Sequence, residues 1–579
     1  MTLTNLTRRG FIPGAASLAA VAAGISLSEK NGYSQAPSAK RDGPRLTFLD
    51  LLRSPDKVVA YAGLNASFPL QQNGAEWTAR DVFVEMDASA NEMDIYIASP
   101  ITRLTHLSLR WNHNDHRALL ILGDQWERSY GDLGWRSLVP ERVLPWYFLA
   151  SDRRTLHGYG VKTGARALCF WLVDSEGVSL WLNVANGGDG VALGERRLLA
   201  ATVVTRKGDD TEAPLSAARA FCHRMCEKPR SLAPAIYGSN DWYYAYGNNS
   251  AEQTLRDADL IASCAPEKGP RPFTIIDDGW ERKSAFPDMQ ALAGEIRSRN
   301  VRPGIWIRPL QAASEADPSL LLPNARYRQM TDRYGDRAYD PTTEEGLLAA
   351  LAKVRQAVDW GYELVKHDYS TYELLGRWGS EMGANPTVPG WHFHDRSKTT
   401  AEVILDLYHA IRREAGDKTL LLGCNTVGHL SAGIFDAQRT GDDVSGKIWE
   451  RTRRMGVNTL AFRLPQHRSF FFLDADCAPV TRAVPWTLTR QWLDVLAQSG
   501  TTCLVSPEPE AISKEQRDAI RDAFAVVASE SALSVPGNWF DTSTPDDWIL
   551  ESGGARAKPA TRGEYHWNDG EGAWPFSLG

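Results

Sequence analysis

Glu363-Leu-Val-Lys-His-Asp-Tyr-Ser370 is a short apolar run that turns polar as it ends. It reads as a buried strand carrying chemistry at its C-terminal lip. Side chains on a strand alternate between faces, so Lys366 and Asp368 point one way and His367 the other. A second run, Gln438-Arg-Thr-Gly-Asp-Asp-Val444, places Arg439 and Asp443 on one face by the same alternation. Two acids, each with a cation beside it, point toward cleavage of a glycosidic bond.

Working outward from these runs, the chain after Pro234 repeats a rhythm of strand and then helix. Buried strands are expected at Ala235 to Ser239, Phe273 to Asp277, Arg302 to Ile307, Leu364 to Asp368, Leu420 to Cys424, Gln438 to Asp442, Ser469 to Leu473 and Thr501 to Val505. Helical stretches fall between them at Asp288 to Arg299, Glu344 to Val358, Thr400 to Glu414, Leu488 to Gln498 and Lys514 to Val527. Eight such units predict a (β/α)8 TIM barrel, whose chemistry belongs at the C-terminal ends of the strands. Polar and aromatic groups recur at those ends: Asn240-Asp241-Trp242, Asp277-Asp278-Gly279-Trp280, Trp306 with Arg308, Lys366 with Asp368, Cys424-Asn425, Arg439 to Asp443, and Asp474 with Asp476.

The rest of the 579 residues is organised around that barrel. From about residue 45 to 228, short alternating runs such as Glu92 to Ile97, Leu107 to Trp111 and Val178 to Val184 are separated by Gly, Asn and Asp clusters, which predicts an antiparallel β-sandwich. Residues 212 to 227 read as a helical linker leading from it to the barrel at 229–529. Residues 530–579 are rich in Gly, Pro and Trp and are expected to form a short β segment on the barrel. Residues 1–40 are an address: Thr7-Arg-Arg-Gly-Phe11 before the small apolar run Gly14 to Leu27 resembles a twin-arginine export signal, placing the mature protein in the periplasm or outside the cell. No later stretch is apolar enough to span a membrane.

Composition excludes several classes. The 64 basic and 71 acidic residues are well mixed and leave a net charge of −7, so nothing marks a nucleic-acid binder. The seven cysteines are scattered and odd in number, which speaks against a disulfide framework. Cys222 and Cys226 lack the second ligand pair that a metal site needs, and Trp391-His-Phe-His394, whose two imidazoles could with Asp395 hold a metal, reads instead as part of the long loop after strand four that lines the substrate entrance. With no phosphate loop and no Ser-His-Asp order, hydrolysis is expected to need no cofactor and no metal. The 20 tryptophans are ample apolar surface, mostly for the core and partly for stacking on sugar rings.

Glycoside cleavage needs one carboxylate beside the oxocarbenium-like centre and one carboxylic acid to protonate the leaving oxygen. Lys366 favours the ionised form of Asp368, which suits a nucleophile. Asp443 suits the acid and later the base, with the neighbouring Asp442 expected to raise its pKa.

Asp277-Asp278-Gly279-Trp280, Lys366-His367-Asp368 and Arg439-Thr-Gly-Asp-Asp443, each closing an expected strand, resemble the signatures of α-galactosidases of glycoside hydrolase families 36 and 27, the melibiase clan. Gly304-Ile-Trp306 and Cys424 also fall where that pattern has its residues. The sandwich ahead of the barrel is similar to family 36 and not to family 27. The resemblance implies Asp368 as nucleophile and Asp443 as acid/base, with Asp442 taking the latter role if the strand bulges. It also implies that Asp277 and Asp278 bond the 4- and 6-hydroxyls while Lys366 and Arg439 hold other ring hydroxyls. Trp280, Trp306, Cys424 and Asp442 complete the expected sugar pocket. The implied activity is retaining, exo-acting hydrolysis of α-galactosides in an oligosaccharide or glycoconjugate.

Three positions depart from the family pattern. Arg308-Pro309-Leu310 stands in place of Glu-Pro-Glu, Tyr369-Ser370 in place of Met-Asn-Arg, and Cys424-Asn425-Thr426 in place of a glycine-rich turn. They leave the catalytic pair intact and keep other sugars open: an N-acetylgalactosaminide, an arabinopyranoside or a glucoside. Transglycosylation, or sugar binding without turnover, are the remaining alternatives.

Overall fold

The computed structural model describes residues 46–63, 66–113, 119–230, 235–327, 337–529, 532–552 and 561–567. The export signal expected in residues 1–40 lies outside them. Eight parallel strands close into a barrel, the first (Tyr237–Asn240) pairing with both the second (Phe273–Ile276) and the eighth (Thr502–Pro507). Strands three to seven are Arg302–Ile307, Leu364–His367, Leu420–Gly423, Ala437–Arg439 and Phe472–Val480. Nearly every strand residue is buried, because helices cover the outside and side chains fill the inside.

The helices begin where polar caps stand. Asp288, Thr343, Thr399 and Ser513 each accept a backbone N–H of the first turn of Met289–Ser298, Glu344–Asp359, Thr400–Ala415 and Lys514–Ala528. Two connections are irregular. One turn, Gly428–Ser431, separates strands five and six, and a π-helical turn, Arg453–Asn458, sits between Trp449–Thr452 and Thr459–Arg463 after strand six.

Strands six and seven differ from expectation. Strand six stops at Arg439 and not at Asp442, because the sandwich residue Ser129 takes over its backbone groups: Ser129 N–H donates to the Thr440 carbonyl at 2.9 Å, and Asp442 N–H donates to the Ser129 carbonyl at 2.8 Å. Strand seven runs from Phe472 to Val480, later than the expected Ser469 to Leu473. Its register against strand eight shifts between Asp474 and Cys477, and Asp476 takes a left-handed φ of 73°. Such a bulge re-aims side chains, so Asp474 and Asp476 sit within the strand and still face the site.

The region from Lys57 to Arg206 is a sandwich of a six-stranded and an eight-stranded antiparallel sheet. It contains the expected strands as Glu92–Ser99, His106–Asn112 and Gly177–Asn183. The linker helix is Pro214–Met225, with proline in its first turn. A three-stranded antiparallel sheet, Ala532–Pro536, Asp547–Ser552 and Thr561–Glu564, packs beside the barrel helix Trp486–Ser499. All seven cysteines are buried as free thiols. Among the described residues no helix is long and apolar enough to cross a membrane, and no group of three or more His, Cys, Asp or Glu is placed to hold a metal ion.

Candidate active site

Strand four delivers its residues to opposite sides. Lys366 Nζ meets Asp277 Oδ2 at 2.7 Å inside the barrel, whereas the His367 ring packs against Tyr408 and Phe435 on the helix side. Asp277, at the end of strand two, also accepts from Asn240 Nδ2 at 2.7 Å. Its own N–H donates to Asp241 at 2.9 Å. Burial and the Asp277 charge push Asp241 up to about 7 and the half-buried Asp278 up to about 6. The lysine therefore stands against a nest of carboxyls that share negative charge sparingly.

Asp368 follows strand four directly. Its Oδ2 accepts the Trp306 indole N–H at 3.0 Å, and its Oδ1 accepts the backbone N–H of Tyr369 at 2.7 Å and of Asn425 at 3.0 Å. Burial alone would raise its pKa, but the charges of Arg128 and Lys366 and the indole N–H outweigh burial and hold it below the usual Asp range. The carboxylate is thus ionised and held in one orientation. Tyr369 adopts φ 66°, ψ −11°, a left-handed conformation costly for a residue with a side chain. It is kept there by the Arg308 guanidinium 4.0 Å above its ring and by Trp378 at 5.4 Å. Arg308, which departs from the family pattern, pairs with Glu373 at 2.8 Å.

Across the mouth, Arg439 is 1% exposed and bonds Asp476 at 2.6 Å and Asp443 at 3.2 Å. Asp476 is fixed in turn by Val444 N–H at 3.0 Å and by the Tyr243 hydroxyl. Since strand six has ended, Arg439 and Asp443 meet through a turn four residues long and not by strand alternation. Asp442 turns aside to Arg451 at 2.7 Å and Arg128 at 3.0 Å. The expectation that Asp442 raises the pKa of Asp443 is therefore corrected. Burial raises it, but Arg439, Arg128, Lys366 and Arg451 prevail and bring Asp443 down to about 2. Its side chain remains 37% exposed, open to whatever enters the pocket.

The other expected site residues divide into two groups. Cys424 Sγ lies 3.6 Å from Arg439 and 3.9 Å from Arg128, its thiol kept neutral by burial and by Asp368. Trp306 touches Asp368 directly. Trp280 instead donates to the Trp306 carbonyl at 2.8 Å and packs edge-on against Trp360, beside a cavity of about 470 Å³ that Arg308, Tyr339 and Lys353 also line. Sequence reasoning missed Glu127 and Arg128, which come from the sandwich, and Trp378, which stacks on Tyr372 at 4.5 Å. The polar and aromatic density of Trp126-Glu-Arg-Ser-Tyr130 was the available signal, but nothing in it says that this loop meets barrel acids more than 200 residues further along the chain.

No family model matches the chain. Among solved structures, it is similar to TtGalA, an α-galactosidase from Thermus thermophilus in complex with p-nitrophenyl α-D-galactopyranoside, at TM-score 0.53 and 18% identity over 81% of this chain and 94% of that one. It is likewise similar to a variant of AgaA, a family 36 α-galactosidase from Geobacillus stearothermophilus in complex with raffinose, at TM-score 0.56 and 11% identity over 86% and 80%. AgaB from the same organism aligns at TM-score 0.54 and 13% identity over 82% and 71%. The fold is that of family 36 α-galactosidases. Sandwich, barrel and small terminal sheet follow in the order that the sequence led us to expect.

Proposed function

We propose that this chain is a retaining, exo-acting α-galactosidase acting on terminal α-galactosides of oligosaccharides or glycoconjugates. The observation that carries the reading is Asp368: an ionised carboxylate held by three N–H donors at the end of strand four, with the Asp443 charge among those that act on it. Asp368 attacks the anomeric carbon while Asp443 gives its proton to the departing glycosidic oxygen. Water then displaces the sugar from Asp368, with Asp443 taking the water's proton. Asp277 and Asp278 suit the 4- and 6-hydroxyls of galactose, and Lys366 and Arg439 suit further ring hydroxyls. The solved relatives in complex with p-nitrophenyl α-D-galactopyranoside and with raffinose support the choice of sugar. Export by the twin-arginine route belongs to the same proposal and rests on residues 7–27 alone.

The resting charge of Asp443 shapes the kinetics. Because the free carboxyl sits at about 2, only a minor protonated population begins the first step on an unactivated sugar. Hydrolysis of raffinose should therefore quicken as pH falls from 7 toward 4, while an aryl galactoside with a good leaving group responds less. The decisive experiment sets aryl α-galactoside, N-acetylgalactosaminide, arabinopyranoside and glucoside side by side, with the product anomer followed by proton NMR. Cleavage of the galactoside with retention, lost at least about a thousandfold in Asp368→Asn, is the expected result. Asp443→Asn should cost raffinose far more than the aryl galactoside. Preference for another glycoside replaces the sugar, inversion replaces the mechanism, and full activity of Asp368→Asn removes the nucleophile.

A further inference from the structure

One loop of the sandwich, residues 124–136, reaches into the barrel mouth and is fastened there at several points. Asp124 pairs with Arg463 at 2.7 Å and accepts from Gln466 at 2.8 Å. Ser129 replaces the end of strand six, and Leu133 exchanges two hydrogen bonds with Asn458. The loop thereby places two consecutive residues, Glu127 and Arg128, against the two acid-bearing walls. Glu127 is wholly buried and accepts from Gly379 N–H at 2.8 Å, from the Tyr130 hydroxyl and from Asn425 Nδ2. The N–H of that same Asn425 is one of the donors on Asp368. Arg128, with an 8% exposed side chain, reaches Asp442 at 3.0 Å and Asp443 at 3.7 Å beneath the Trp378 ring.

The geometry points to Arg128 as a positioning residue of the sandwich that sets the charge balance of both catalytic carboxylates, so that the N-terminal domain completes the active site. This rests on the assignment of Asp368 and Asp443 made above. The other cations facing these acids each hold a further carboxylate, as Arg128 holds Asp442. Arg439 from strand six is bonded to Asp476, Lys366 from strand four to Asp277, and Arg451 to Asp442. Tyr243 and Tyr246, after strand one, also face Asp443, while Cys424 and His367 stand near Asp368. Among the charges, Arg128 weighs most on Asp368 and second after Arg439 on Asp443. Lys366 also draws on both acids but stands behind Arg128 on each.

A cation beside a carboxylate favours its charged form, so removing it must raise both acids together. The test is kcat/KM against pH for the full mature protein on its best aryl α-glycoside, comparing wild type, Arg128→Lys and Arg128→Gln. Both limbs of the profile should move to higher pH by about one pH unit in Arg128→Gln, with Arg128→Lys intermediate because its charge is retained at shorter reach. A uniform loss of rate with unmoved limbs would mean that Arg128 only braces the loop, and overturns the inference. If Arg128→Gln does not fold, the smaller upward movement in Arg128→Lys is the expected result, and no movement overturns it. If wild type cleaves no aryl α-glycoside, the function proposed above fails by itself, and the charge coupling is read from Tm instead. Asp443 is depressed in the folded state, so stability from its pairing is present above about pH 4 and lost as pH falls through its folded value. The Tm gap between wild type and a folded Arg128 variant should then narrow between pH 7 and pH 3. A gap independent of pH overturns the inference.

Discussion

The Trp306 indole is the side-chain donor on Asp368, and its ring lies edge-on to Tyr369 at 6.2 Å. Trp306→Phe keeps an aromatic ring and removes the N–H. A hydrogen bond to a charged group is worth about 1.5–3 kcal/mol, so kcat/KM should fall roughly ten- to hundredfold. The acidic limb of the profile should move up as the nucleophile becomes easier to protonate. Steady-state rates across pH check this, and an unchanged acidic limb would mean the indole only fills space. At this scale the sequence was informative wherever alternation held. Lys366 and His367 point to opposite sides of strand four, as period-two reasoning requires. It misled at Asp443, because Asp442 is its covalent neighbour while Arg439, Arg128 and Arg451 are neighbours in space.

The elements carry their own constraints. Gly238 in strand one has φ +145°, and a Cβ there would lie 1.9 Å from the Phe273 carbonyl oxygen of strand two. Gly238→Ala must push the two strands apart where Asn240 reaches Asp277. A loss of about 3 kcal/mol or more in stability is expected from the clash and the backbone conformation together. It should come with a raised KM for the galactoside, and thermal unfolding beside kinetics checks both. Helix boundaries were legible because caps are local: Asp288, Thr343, Thr399 and Ser513 announce them. Strand seven was not legible. A bulge at Asp474 to Cys477 breaks the pattern that marks a strand, and the apolar run Ser469 to Leu473 was a stronger local signal than the true element.

Across the whole molecule, the three parts are tied by a small set of buried groups. Trp539, 4% exposed, packs edge-on against Trp135 of the sandwich loop at 5.2 Å and stacks near Phe462 of the barrel at 6.2 Å. Asn458 bonds both Leu133 and Ser543 at 2.7 Å. The terminal segment therefore clamps the loop that carries Arg128. Trp539→Ala should cost about 3–5 kcal/mol in chemical denaturation, and it should loosen the loop enough to lower kcat/KM. Wild-type stability would show that the segment is an appendage.

The sequence by itself determined the alternation of strands and helices, the sandwich ahead of the barrel, and the acids and cations that end strands two, four and six. Those signals are local, written in periodicity, caps and short motifs. The tertiary structure decided which charges meet. Asp443 takes its resting charge from Arg439 and Arg128, residues that lie 4 and 315 positions away along the chain, and the second of these contacts is made by a sandwich loop that folding fastens in the barrel mouth. Coulomb forces act through space and grow stronger at the lower effective dielectric inside a protein, so the protonation of the site was settled by folding.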